Sequence, residues 1–363
     1  MSAVANSPRA GGDDAQEAVG IDPPGVTAWF ADHVPGTAPP LSFRLVAGGR
    51  SNLTYRVEDA AGHAWALRRP PVSHVLPTAH DMAREHRIIS ALGPTPVPVP
   101  RTYGLCRDES VTGGAFYVME FVDGLVLRSA AVAEGAMGAG ARRAAGDSLA
   151  DTLAALHDVD PDATGLGDLG RRGGYVERQV RRWTEQFRQS AGDVARSGGT
   201  ALVEQVGAEL AARVPPQRAT TIVHGDYRLD NTVMRPDGTV AAVLDWELCT
   251  LGDPMADVGL LADYWAAPTD GGGPLLGPRS ASTLPGFCTR EELLARYART
   301  SGRDVSGVGY FAAFGYWKLA CILQGVYARY RAGATAGDPQ SVEGFPGVIE
   351  RLASLAKTEL EAT

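Results

Sequence analysis

The residues of this chain best suited to chemistry fall in two short stretches, His224-Gly225-Asp226-Tyr227-Arg228-Leu229-Asp230-Asn231 and Leu244-Asp245-Trp246-Glu247, with Asp245 fourteen positions after Asn231. Two carboxylates and an amide at this spacing suit phosphoryl transfer. One carboxylate must orient an attacking hydroxyl and accept its proton, while an amide oxygen and a second carboxylate hold Mg²⁺ on nucleotide phosphates. Asp226 fits the first role, with Arg228 beside it as a catalytic candidate, and Asn231 and Asp245 fit the other two. Their hard oxygen donors suit Mg²⁺, which shares its shell with water and substrate phosphates. A lone Asp is ordinarily a turn cap. The joint pattern sets these apart: His two before Asp226, Asn five after it, and a second apolar run ending in Asp.

Something must bring these groups together. Thr221-Ile222-Val223 and Ala241-Ala242-Val243-Leu244 read as short buried strands, and Arg235-Pro236-Asp237-Gly238 between them reads as a turn. A hairpin of the two runs is therefore expected to carry the end of the loop and Asp245 to one place. Downstream, Asp253 before Pro254 is expected to cap a helix, and Asp257 to tie the loop to that helix.

The first part of the chain reads as strands over Leu41–Ala47, Leu53–Glu58, His63–Arg69 and Ala115–Val122, after a short helix over Val26–His33. A helix from about Ala79 to Leu92 interrupts them and stops at Gly93-Pro94. On it Met82, Glu85, Ile89 and Leu92 share a face, so an acid is carried inward among apolar side chains and needs a partner. Arg68 is the expected partner and Arg69 the competitor. Alternation along a strand sends the two to opposite faces, so only one can meet Glu85. Gly48-Gly49-Arg50-Ser51-Asn52 lies between two strands where backbone N–H groups could approach phosphates, making Gly49, Ser51 and Asn52 nucleotide-binding candidates. Met119–Gly124 reads as a hinge, with Glu120 and Val122 placed to meet a nucleobase.

The rest reads as helical, notably Ala141–His157, Tyr175–Gln189 and Val308–Tyr330, with His157 a capping or core histidine. Pro268–Phe287 is a Gly-, Pro- and Ser-rich loop of the length that is often a substrate lid.

Taken together and in order, the glycine turn, the Arg68 strand, the Glu85 helix, the hinge, the His224–Asn231 loop and the Asp245 segment resemble the aminoglycoside phosphotransferase and choline kinase-like family over roughly residues 40–350. Arg at the strand position, and Asp-Trp-Glu followed by Gly-Asp-Pro, are most similar to the branch fused to some acyl-CoA dehydrogenases. The resemblance implies an α+β, two-lobed protein-kinase-like fold. After a flexible tail over 1–20, a small antiparallel-sheet N-lobe with one helix spans 21–122 and a larger, mainly helical C-lobe spans 123–363. It implies ATP or GTP with Mg²⁺ and a small-molecule hydroxyl acceptor. It makes Asp226 the base, Asn231 and Asp245 the metal ligands, Arg68 the cation on the nucleotide phosphates and Glu85 the residue that orients it. Most of the wider family carries Lys where this chain has Arg68, and the two cations differ in geometry and hydration, so the nucleotide pose is expected to differ.

Composition narrows the partners. A net charge of −8 argues against nucleic acid. No apolar run could span a bilayer, and Met1–Gly20 lacks the features of a signal peptide, so a cytoplasmic monomer or homodimer is expected. Cys106, Cys249, Cys288 and Cys321 form no C-x-x-C pair and read as reduced core thiols. The run Arg171, Arg172, Arg178, Arg181, Arg182 and Arg188 leads to an anionic acceptor, such as a hydroxy acid or hydroxyacyl-CoA, if two or three of them face the cleft, and is otherwise a solvated face. An aminoglycoside acceptor and a non-catalytic nucleotide-binding module are the alternatives. Protein kinase activity is disfavoured by the lack of Asp-Phe-Gly and Ala-Pro-Glu motifs.

Overall fold

The computed structural model describes residues 18–47, 52–72, 81–192, 198–266, 280–332 and 342–363. A five-stranded antiparallel sheet of order β1-β2-β3-β5-β4 forms from β1 (Ser42–Ala47), β2 (Leu53–Glu58), β3 (Ala64–Arg69), β4 (Thr102–Cys106) and β5 (Phe116–Glu120). Its central strands β2, β3 and β5 are buried on both faces. Tyr55, Val57, Trp65, Leu67 and Phe116 pack on Val26, Trp29 and Phe30 of α1 (Pro23–His33). The alternate residues Ala66, Tyr117 and Met119 join Met82, Ile88 and Ile89 of α2 (Met82–Leu92), whose N-terminus is capped by Asp81 accepting from Arg84 N. Each fully buried aromatic or aliphatic side chain here contributes about 1.5–3 kcal/mol.

The described part of α2 starts at its Asp81 cap, so the expected start at Ala79 lies outside the described residues. Residues 1–17 of the expected tail also lie outside. Its last residues are held: Tyr55 Oη donates to Val19 O, and Thr112 Oγ1 donates to Gly20 O at 2.9 Å. Strand β4, not expected from the sequence, forms the sheet edge, and Gly104 in it lets the Trp29 ring approach where a Cβ would stand 2.9 Å away.

After the sheet the chain is helical: α3 (Ala130–Ala136), α4 (Ala139–Asp158), α5 (Tyr175–Gly192), α6 (Gly198–Ala212), α7 (Met255–Tyr264), α8 (Arg290–Ser301), α9 (Val308–Arg331) and α10 (Phe345–Glu361). Helix α9 is apolar on most of its surface and packs against α5, α6, α7 and α10. No helix among the described residues is long and apolar enough to cross a membrane. The four cysteines are free and buried.

Four short strands carry the site: β6 (Thr221–Val223), β7 (Thr232–Met234), β8 (Val240–Val243) and β9 (Thr250–Gly252). The expected hairpin is corrected here. Thr221–Val223 pairs with β9, not with the run before Asp245, and the hairpin is β7–β8 around the expected Arg235–Gly238 turn. Two three-residue ladders replace one because Asp226–Asn231 must loop out between β6 and β7. The segment after β5 is stitched to this hairpin by two 2.8 Å bonds between Leu125 and Met234, so sheet and hairpin share a border.

Candidate functional site

Asp226 and Asn231 are brought together by the loop's own short helical turn at Leu229–Asn231. Asn231 Nδ2 donates to both the backbone oxygen and Oδ2 of Asp226, each at 2.8 Å. Arg228 lies on the same carboxylate, with Nε 3.2 Å from Asp226 Oδ1, while its Nη1 pairs with Asp230 at 2.7 Å. Its guanidinium also stands over the Tyr264 ring at 4.8 Å. Burial opposes the Arg228 charge, but Asp226 and Asp230 hold its pKa above the ordinary value.

His224 ties both acidic segments to one frame. Fully buried, it donates from Nε2 to Leu244 O at 2.9 Å and accepts from Asp226 N at Nδ1 at 3.2 Å, which places the proton on Nε2. Leu244 N in turn donates to Asn231 O at 2.9 Å. These bonds fix the backbone directly before Asp245, whose φ of 65° is the one positive value among described non-glycine residues. A left-handed Asp costs about 1–2 kcal/mol and persists where surrounding bonds impose it, a pattern concentrated at functional sites.

Asp257, as expected, ties the loop to α7. It accepts from His224 N at 2.6 Å, Gly225 N at 2.8 Å and His157 Nε2 at 3.3 Å. Burial opposes its ionisation, but His157 and the loop's N–H groups hold its pKa below the ordinary carboxylate value. His157 is a core histidine, its Nδ1 bonded to Tyr297 Oη at 2.8 Å. Asp253 accepts from Met255 N at 3.0 Å at the start of α7. Gly225 occupies φ 84°, and a Cβ there would stand 2.8 Å from Leu248 O. Gly225→Ala is therefore expected to cost about 1–3 kcal/mol of stability in a urea titration; an unchanged midpoint would show that the loop shifts freely.

Arg68 is the partner of Glu85. Its Nε donates to Glu85 Oε2 at 2.9 Å, and its Nη2 reaches Asp245 Oδ1 at 2.5 Å and stands 4.0 Å from Glu247 Oε2. Burial opposes this cation, but Glu85 and then the neighbouring acids hold its pKa above the ordinary value. Glu85 also accepts from Asn52 Nδ2 at 2.7 Å and Tyr117 Oη at 3.1 Å. Arg69 points to the other face, donating to Thr112 O.

The expected residues thus form two joined clusters, Asn52–Arg68–Glu85–Asp245 and Asp226–Arg228–Asn231. Glu120 and Val122 stand apart at the end of β5: Glu120 is exposed and bonded through N to Arg101 O, and Val122 packs on Val126, Val233 and Ala242. Gly49 and Ser51 lie outside the described residues, as does 268–279 of the expected lid. Residues 281–283, in its remaining part, are buried in a short turn. The arginine run is mostly a solvated face. Arg171, Arg172, Arg181, Arg182 and Arg188 are exposed, and Arg178 spends its guanidinium on backbone oxygens.

The sequence reading missed Glu247, which lies 3.4 Å from Asn52 Nδ2 as well as beside Arg68. It also missed Lys318 of α9, whose Nζ donates to Gly225 O at 3.3 Å, directly before Asp226. The signal for Lys318 was present: it is the single charged residue between Val308 and Ala328 of an otherwise apolar helix.

Residues 42–305 match a family described as the phosphotransferase enzyme family. Over 321 residues the chain is 36% identical to acyl-CoA dehydrogenase family member 10 of Mus musculus, covering 87% of this chain and 29% of that protein. It is also 36% identical over 321 residues to acyl-CoA dehydrogenase family member 11 of Gallus gallus, covering 86% of this chain and 40% of that protein. The chain spans less than half the length of either relative. A solved structure from Ralstonia eutropha JMP134, provisionally assigned as an aminoglycoside phosphotransferase, superposes with a TM-score of 0.76 at 34% identity, covering 93% of this chain and 99% of that one.

Proposed function

The chain belongs to the phosphotransferase enzyme family, and from that premise we propose that it moves the γ-phosphoryl group of ATP, or of GTP, to a hydroxyl of a small molecule. The observation that carries this reading is the Asn231 amide. Its Nδ2 holds Asp226, while its buried Oδ1 has no hydrogen-bond partner among the described residues. A buried amide oxygen left without a donor costs about 1–3 kcal/mol, and a hard cation is the partner that suits it. The donor set fits Mg²⁺, with Asn231 and Asp245 as its protein ligands. Bound there, the ion would neutralise charge on the nucleotide phosphates as it develops.

Asp226 accepts the proton of the attacking hydroxyl as the new O–P bond forms, the bond from γ-phosphorus to its bridging oxygen breaks, and the nucleoside diphosphate leaves. Arg228 steadies the Asp226 carboxylate, and Asn231 orients it through Oδ2. Arg68, held in line by Glu85, is the cation for the nucleotide phosphates. Its planar fork contacts two acids at once, which a Lys ammonium would do less rigidly. The acceptor is read as a hydroxylated acid or its acyl-CoA thioester. That class is supported by the family branch and by relatives that are acyl-CoA dehydrogenase family members.

The test is transfer of label from [γ-³²P]ATP to hydroxy acids, hydroxyacyl-CoAs and aminoglycosides with and without Mg²⁺. Metal-dependent label in a hydroxyl product is expected. Nucleotide binding with no label in any product would make the chain a binding module instead.

A further inference from the structure

Helix α9 carries one charge in its apolar stretch, and that charge is half-buried beside the loop of Asp226. Lys318 has three N–H donors, yet among the described residues its protein acceptor is Gly225 O at 3.3 Å, and it makes no ion pair within 4.0 Å. Anchoring one carbonyl does not need a cation; a neutral donor would do it without the cost of desolvating a charge. Trp183 of α5 faces the same ammonium, with Nζ 6.0 Å from its ring centre, and Arg182 lies over that ring at 5.5 Å. Arg228 is already paired with Asp226 and Asp230. Of these two cations at the Asp226 loop, Lys318 is the one whose donors are not taken by acids among the described residues. Burial lowers the Lys318 pKa, Asp226 and Asp257 oppose that, and Arg182 adds to it.

We propose that Lys318 is a specificity-determining residue of the acceptor site: its ammonium takes an anionic oxygen group of the acceptor, a carboxylate or a phosphate ester, and so presents the acceptor's hydroxyl to Asp226, with Trp183 as the adjoining apolar wall. The inference rests on the reading of Asp226 as the proton acceptor of a phosphoryl transfer. It explains a feature that this reading leaves unused, a cation beside the base that neither nucleotide nor metal requires. It also disfavours polycationic acceptors, since a like charge beside an ammonium in a partly desolvated site is repelled.

Three acceptor pairs matched in their hydroxyl test it: 3-hydroxybutyrate against 3-hydroxybutyramide, glycerol 3-phosphate against glycerol, and 3-hydroxybutyryl-CoA against its neutral N-acetylcysteamine thioester. Binding is read by calorimetry on the full chain with ADP and Mg²⁺, and transfer by ADP release. The wild type is expected to bind the anionic member of at least one pair tenfold or more tightly. Lys318→Gln, which keeps a donor for Gly225 O, should lose that preference through KM with kcat within threefold, and Lys318→Arg should retain it. Which pair responds tells a carboxylate from a phosphate. A wild type without preference in any pair overturns the proposal, as does a Lys318→Gln that weakens both members of a pair equally. Preferential binding without transfer would uphold the Lys318 assignment and sink the phosphotransfer reading alone.

Discussion

Asp226→Asn is expected to lower phosphoryl transfer by about 10²–10⁴-fold, the range over which a positioned base acts. The amide keeps the shape of the carboxylate and can still accept from Asn231 Nδ2, but it cannot take the proton of the hydroxyl. Arg228 stays paired with Asp230 at 2.7 Å, so no charge is stranded and stability should change by about 1 kcal/mol or less. The measurement is steady-state ADP release with the best acceptor, together with nucleotide affinity. Turnover within tenfold of wild type would show that Asp226 does not do the chemistry.

Asp257→Ala is expected to act chiefly on the fold. It removes the acceptor of two buried loop N–H groups and of His157 at once, a loss of about 3–5 kcal/mol, or roughly 5–15 °C in melting temperature. Transfer should fall with it, because Gly225 and His224 set the backbone of Asp226. The same pair gives stability a pH dependence with a fixed sign. Both folded pKa values are depressed, His157 below 6.5 by burial and Asp257 below 3.8 by its donors. The stabilisation they supply is therefore complete above pH 6.5 and is lost on acidification, first as His157 charges and then as Asp257 protonates. Asp257→Asn should flatten the acid end of that profile. A melting temperature independent of pH between 7 and 4 in the wild type would contradict this account.

The site's geometry was legible in the sequence where the chain itself sets the distances. Asp226 and Asn231 lie within one short loop, closed by the turn at Leu229–Asn231, and Glu85 announced a buried partner by falling on the apolar face of α2. Alternation along β3 then separated Arg68 from Arg69. The pairing of Thr221–Val223 with Thr250–Gly252 was not legible, because three-residue strands carry too little pattern to choose between partners, and the choice is made by the loop closed over them. Lys318 meets Gly225 across 93 positions, so only the packing of α9 could reveal the contact. Its isolation on an apolar helix was the available clue.

The Arg68 fork has a further consequence for how this site fills. Glu85, Asp245 and Glu247 converge on one guanidinium, so their mutual repulsion is already answered by a cation that belongs to the chain. On the proposed reading of Asp245 as a metal ligand, a divalent ion arriving there would have to take that carboxylate from Arg68, and phosphates arriving at the same moment would give the guanidinium somewhere to go. Entry would then be an exchange of ionic partners. Metal and nucleotide would be favoured as a pair, each vacating the contact that the other needs.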